Sequence, residues 1–169
     1  MQRIAKFEKV SLNRFVEDYI DCFGTDADMA KAVYDSLALP KRATAGSAGY
    51  DFYSPADITL KPGETIKIPT GIRARMNEDW VLMLFPRSGL GFKFRLQLNN
   101  TVGIIDSDYY NSDNEGHIFA KITNDSNENK TVEIKSGAGF IQGLFVPFGI
   151  TDDDDTNEVR NGGFGSTDK

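Results

Sequence analysis

The sequence predicts an all-β body, a jelly-roll-like sandwich or barrel, with a short helical extension at its N-terminus and a flexible arm at its C-terminus. Three observations carry this expectation. Residues 11–39 repeat apolar side chains at helical spacing, and residues 40–151 break into short alternating runs separated by turn residues. The last stretch, Arg160-Asn-Gly-Gly-Phe-Gly-Ser-Thr-Asp-Lys169, suits neither a packed strand nor a helix. The expected division is a strand and helical extension over 1–39 packed on a body over 40–151, then an acidic linker and glycine-rich arm over 152–169.

In the extension, Leu12, Phe15, Val16, Tyr19, Ile20 and Phe23 form one apolar stripe on a helix, and Gly24 ends it. Thr25 with Asp28 resembles a capping box, opening a second helix that carries Met29, Val33 and Leu37 until Pro40 stops it. Two helices joined by a turn can read DNA, but the second has Lys31 as its one basic residue, so packing on the body is the expectation. Beyond Pro40, strands are predicted at Ile66 and Ile68, Ile72 and Ala74, Phe94-Leu96-Leu98, Ile118-Ala120-Ile122, and Val132-Ile134. Pro62-Gly63, Pro69-Thr-Gly71 and the run Asp125 to Asn129 supply turns. The block Asp152 to Asp155 breaks the strand pattern and reads as a solvated linker.

A chain of 169 residues is long enough for one substantial core. Its single cysteine, Cys22, excludes an internal disulfide framework, and with one histidine, His117, there is no ligand set for zinc. Any metal is expected to be hard and oxygen-bound. The N-terminal residues lack the apolar core of a secretory signal and no run reaches membrane-spanning length, so the expected setting is cytoplasmic. Twenty-five acidic residues against 19 basic ones, a net charge of −6, argue against a nucleic-acid or anionic-membrane partner. An anionic ligand then needs local positive groups or a cation.

Four segments have the chemistry for such a ligand. Pro86-Arg-Ser-Gly-Leu-Gly91 follows the apolar run Trp80 to Phe85 and combines a guanidinium, a hydroxyl and permissive glycines; a phosphate cradle and an ordinary turn are both open readings. Asp106 and Asp108 stand at the end of the apolar strand Val102 to Ile105, where a carboxylate can act as a general base toward water; a plain turn with a rim tyrosine, Tyr109, is the alternative. Ala45 to Phe52 runs through small residues into Asp51, which can face a hydrated cation or simply begin a strand. In the arm, glycine N–H groups can wrap an anion while Phe164 offers a flat face; a frayed terminus is the competing reading. His117, in a polar loop, is expected at the surface.

In order along the chain, Ser47-Ala-Gly-Tyr-Asp51, Pro86-Arg-Ser-Gly-Leu90, Gly103-Ile-Ile-Asp-Ser-Asp-Tyr109 and Arg160 with Gly162-Gly-Phe-Gly-Ser-Thr167 resemble motifs I, II, III and V of the homotrimeric dUTPase family, over about residues 40–167. The resemblance implies a jelly-roll homotrimer with shared active sites that hydrolyses dUTP to dUMP and pyrophosphate, keeping uracil out of DNA and supplying dUMP for dTMP synthesis. It implies that Asp106 activates the water that attacks the α-phosphorus and meets the sugar 3′-hydroxyl, with Ile105 beside it. Tyr109 would stack under the deoxyribose, Asn100 would read uracil, and Arg87, Ser88 and Gly89 would hold phosphates. Gln142 carries over from motif IV. Asp51 would touch waters on a Mg2+ held mainly by the triphosphate. Arg160, Ser166 and Thr167 would meet the γ-phosphate, with Phe164 and Gly165 closing over the base as a lid.

Three departures from the family pattern stand out. Motif IV, usually Gly-Asp-Arg-Ile-Ala-Gln, reads Gly137-Ala-Gly-Phe-Ile-Gln142, without the charged pair. Asn111 to Gly116 is inserted after the motif III tyrosines, and one residue fewer separates Arg160 from Gly162 than in many members. Two competitors remain: a dCTP deaminase of the same fold, and a regulatory module that captures another protein through the extension or the insertion.

Overall fold

In the computed structural model, residues 2–158, 160 and 162 are described. The chain opens with strand β1 (Ala5–Lys9) and two helices, α1 (Leu12–Phe23) and α2 (Ala27–Ser36). Strands β2 (Lys41–Arg42), β3 (Tyr50–Tyr53), β4 (Ile58–Leu60), β5 (Thr65–Pro69), β6 (Ile72–Met76) and β7 (Trp80–Pro86) follow. A short helix α3 (Ser88–Phe94), strands β8 (Leu96–Leu98) and β9 (Gly103–Ile105) and a 3₁₀ turn (Ser107–Asn111) lead to β10 (Phe119–Asn124), β11 (Val132–Ile134) and β12 (Gly139–Pro147).

The chain is mostly β, and every strand pairing among the described residues is antiparallel. The largest sheet runs β2-β3-β12-β7-β9; β5-β10-β8, β11-β4 and β1-β6 complete the body. Alternation explains the core: Ile58 and Leu60, Ile72 and Ala74, Leu82 and Leu84, Leu96 and Leu98, Ala120 and Ile122, and Val132 and Ile134 point inward with exposed or half-buried neighbours between them.

The extension has its own small core of Val10, Phe15, Tyr19 and Ala30, seated on the turn between β5 and β6. Gly71 is the seat. Its φ of +73° suits glycine, and a Cβ there would collide with Leu37 and Phe15. Its carbonyl accepts from the Val10 N–H at 3.0 Å.

Several expectations need correction. The α2 cap is Asp26, whose carboxylate accepts from the Met29 N–H, rather than Thr25; capping needs the oxygen three residues before that N–H. Phe94 ends α3 instead of opening β8, because Arg95 turns the backbone at φ +53°. His117 is fully buried rather than on the surface: Nδ1 lies 2.5 Å from Asp18 Oδ2 and Nε2 accepts from the Gly71 N–H at 2.8 Å. Among the described residues, no helix is long and apolar enough to cross a membrane.

Candidate active site

One cleft of about 590 Å³ gathers residues from two of the four segments singled out in the sequence and from the altered motif IV. Asp51 comes from β3, Arg87, Ser88 and Gly89 from the end of β7 and the start of α3, and Gln142 from β12. Register brings them together: Gln142 is paired with Asp51 on one side and with Phe85 on the other, and its amide donates to the Pro86 carbonyl at 3.2 Å. Arg87 caps α3 from extended backbone, so Ser88 and Gly89 occupy the first turn, where N–H groups lack intrahelical acceptors. The Arg-Ser-Gly stretch is therefore the beginning of a helix rather than a free turn.

The Arg87 guanidinium lies 3.2 Å from an Asp51 oxygen and 3.4 Å from the Gly139 carbonyl. With the Arg87 side chain 45% exposed, such a pair contributes about 0–1 kcal/mol and is readily exchanged for an anionic ligand. Gly139 permits this seat, because a Cβ there would stand 2.9 Å from Arg87 Nη1. The altered fourth motif thus has a steric consequence that its letters alone do not reveal. Among the described residues, Asp51 is the one carboxylate on the cleft wall, and no group of three or more His, Cys, Asp or Glu side chains could hold an ion. This donor set suits a hard cation carried by a ligand's own oxygens and touched through water, and is too sparse for a protein-only metal centre.

Asp106 lies elsewhere. It follows β9, whose Ile105 pairs with Leu82 near the start of β7, whereas Arg87 follows the far end of that strand. At about 3.3 Å per residue, the run from Leu82 to Arg87 separates the two by roughly 17 Å. Asp106 is half-buried, and the chain's own arm reaches it: Arg160 Nη2 is 2.5 Å from Asp106 Oδ2 and Nε is 2.9 Å from Asp108 Oδ1. Tyr109 is 5% exposed rather than on a rim, with the Arg160 guanidinium 6.0 Å from its ring. Its hydroxyl donates to the His117 carbonyl at 2.7 Å and accepts from the Asn114 amide at 2.8 Å, and burial pushes its pKa up.

Ile105, the residue before Asp106, is buried, and Asn100 sits exposed in the turn between β8 and β9, beside Thr101 at φ +66°. Gly162 is described and buried; Phe164, Gly165, Ser166 and Thr167 lie outside the described residues. The structure thus brings Asp51, Arg87, Ser88, Gly89 and Gln142 into one group and Asp106, Tyr109 and Arg160 into another. Sequence reasoning marked motif IV as altered but missed that Gly139 seats Arg87, 52 positions away. It also missed the support of Tyr109 by Asn114 and His117, five and eight positions on, because the inserted loop must fold back before they meet.

The dUTPase family model matches residues 35–168. The deoxyuridine 5′-triphosphate nucleotidohydrolase of Lactococcus lactis is 46% identical over 134 residues, covering 78% of this chain and 88% of the relative. The dUTPase of Streptococcus mutans, a solved structure, is 37% identical with a TM-score of 0.62, covering 86% of this chain and 98% of that one. A dUTPase variant from phage phi11 of S. aureus, described with a coordinated structural Mg(II) ion, has the same fold at 20% identity, with a TM-score of 0.63 over 92% of this chain and 98% of that one. With the family model spanning most of its length, and with its motif residues gathered in the two groups described, the chain belongs to the dUTPase family.

Proposed function

We propose that this chain hydrolyses dUTP to dUMP and pyrophosphate, in active sites shared between the chains of a jelly-roll homotrimer. The observation that carries the reading is the cleft that joins Arg87, Ser88, Gly89 and Gln142 beside Asp51, in a chain 46% identical to a deoxyuridine triphosphate nucleotidohydrolase. The separation along β7 supports the sharing of sites, because Asp106 cannot serve a nucleotide whose phosphates rest in the cleft of the same chain. A neighbouring chain supplies the other half. On this reading residues 40–151 form the catalytic body, 1–39 an extension packed on it, and 152–169 a linker and lid.

In the mechanism, Arg87 holds phosphate oxygens through parallel N–H bonds, helped by Ser88 and by N–H groups of the first α3 turn. Asp106 removes the proton of a water aligned for attack on the α-phosphorus. Tyr109, its hydroxyl anchored, presents its ring to the deoxyribose and leaves no room for a 2′-hydroxyl; Asn100 pairs with uracil. Asp51 would meet, through water, a Mg2+ brought by the triphosphate, and that ion would supply neutralisation of the charge on the departing pyrophosphate. Arg160 exchanges Asp106 and Asp108 for the γ-phosphate as Phe164, Gly165, Ser166 and Thr167 close the lid. Pyrophosphate release with Mg2+ and dUTP, beside dCTP, dTTP and UTP, tests the proposal. Selective turnover of dUTP is expected, and ammonia released from dCTP would overturn it.

A further inference from the structure

The N-terminal extension lies outside the family model up to residue 34, yet three hydrogen-bonded ties join it to the segment that follows Asp106. In the first, the Tyr110 hydroxyl donates to Glu8 Oε2 on β1 at 2.5 Å and accepts from Arg73 Nη2 at 2.6 Å. In the second, the Ser11 N–H and hydroxyl each donate to the Glu115 carboxylate at 2.7 Å, and Ser11 is the N-cap of α1. In the third, His117 meets Asp18 on α1. All three fall on residues 110–117, within and beside the inserted loop.

The third tie has a defined proton order. The Gly71 N–H points at His117 Nε2, so that nitrogen offers its lone pair and Nδ1 carries the proton, donated to Asp18. Asp18 is itself held by Arg14 Nη2 at 3.0 Å. With its ring fixed from both sides, the His117 carbonyl accepts from the Tyr109 hydroxyl, while Ser112 Oγ lies 2.7 Å from the Tyr109 carbonyl and Asn114 donates to the Tyr109 hydroxyl. Tyr109 is tied back to Asp106 by its own N–H at 3.2 Å. The loop is also strained where it is gripped: Glu115 holds φ +60°, a conformation that persists in a non-glycine residue when its surroundings over-determine it. The bonds from Ser11 to the Glu115 carboxylate and from the Glu115 N–H to the Ser112 carbonyl at 2.9 Å belong to that surrounding.

We propose that the extension is a positioning clamp for the catalytic loop, in which Asp18 orients His117 and His117 sets the sugar-facing ring of Tyr109. The clamp rests on the proposed dUTP hydrolysis for its functional consequence, but its proton order is independent of it. Asp18 and His117 are positioning residues, since neither touches substrate. Removing the Asp18 carboxylate leaves the buried Nδ1–H without its acceptor, and the ring and its carbonyl lose their fixed orientation.

The test uses the full-length protein with Asp18→Ala and Asp18→Asn, the second keeping an oxygen acceptor for Nδ1–H. The ratio of kcat/KM for dUTP over UTP is expected to fall about five- to tenfold in Asp18→Ala and to recover in Asp18→Asn. Because His117 is the only histidine, its ¹⁵N imidazole signals are unambiguous and are expected to report the proton on Nδ1 in the wild type. A lowered melting temperature with unchanged dUTP over UTP selectivity would overturn the clamp, leaving the extension as a stabiliser. So would an imidazole protonated on Nε2. If the wild type releases no pyrophosphate from dUTP, the proposed activity fails, and the imidazole spectrum still decides the proton order of the Asp18–His117 tie. Should Asp18→Ala fail to fold, Asp18→Leu, which fills the carboxylate's volume and offers no acceptor, carries the selectivity test with the same expected fall.

Discussion

Adding one methyl group at Gly139 tests whether the placement of Arg87 matters to catalysis. The backbone at 139 lies outside the left-handed region, so alanine is conformationally acceptable there. The new Cβ would stand 2.9 Å from Arg87 Nη1, 3.2 Å from Cδ and 3.4 Å from Cζ. Relief requires the guanidinium to retreat by roughly half to one ångström. Arg87 is a flexible, half-exposed side chain, so folding stability should change by no more than about 1 kcal/mol, a shift of about 2–4 °C in melting temperature. Catalysis has less tolerance. Losing one charge-assisted hydrogen bond to phosphate costs about 1.5–3 kcal/mol, which is roughly ten- to 150-fold in kcat/KM. The assay is steady-state pyrophosphate release from dUTP beside a thermal melt. Gly139→Ala with wild-type melting and kcat/KM within about twofold would falsify the seat.

Asp106→Asn should leave binding of a non-hydrolysable dUTP analogue nearly intact while turnover falls by roughly 10²–10⁴-fold; unchanged turnover removes Asp106 from the role of base. Truncation before Arg160 should preserve the melting transition and cost most of the activity, and full turnover by the truncated chain contradicts the lid. Stability should decline on acidification. Burial holds the His117 pKa below its ordinary value near 6.5 despite the opposing pull of Asp18, so the unfolded chain binds more protons just below that pH. The contribution is complete above about pH 6.5 and is lost as pH falls toward the folded value. Asp18 adds a second loss below about pH 4: burial alone would raise its pKa, but the bonds from His117 and Arg14 outweigh that and lower it. Urea titrations from pH 8 to 5 check the first window, and a flat profile contradicts a neutral buried ring.

The strands of the body were legible because one face of each meets the core, and alternation survives in Ile66-Lys-Ile68 or Val132-Glu-Ile134 whatever they pair with. Strand β1 was less visible: Lys6 and Glu8 flank a lone Phe7, and what holds it is pairing with β6. Helix α3 was hidden by Gly89 and Gly91, residues of low helical preference that here follow Arg87 off the end of β7. The site was legible as four motifs and illegible as geometry. Nothing local in Asp18 or His117 announces a bond across 99 positions, and nothing in Gly139 announces the guanidinium above it.

Strand β7 has one further consequence. It carries Arg87 at one end and anchors the Asp106 strand at the other, so on the shared-site reading damage to a chain is not confined to that chain. A protomer without Arg87 still lends a sound aspartate to its neighbour, and one without Asp106 still lends a sound arginine. Two inactive proteins, Arg87→Ala and Asp106→Asn, would therefore rescue each other when refolded together, with roughly one site in four drawing both intact halves from different parents. In genetic terms, two null alleles of this gene would complement.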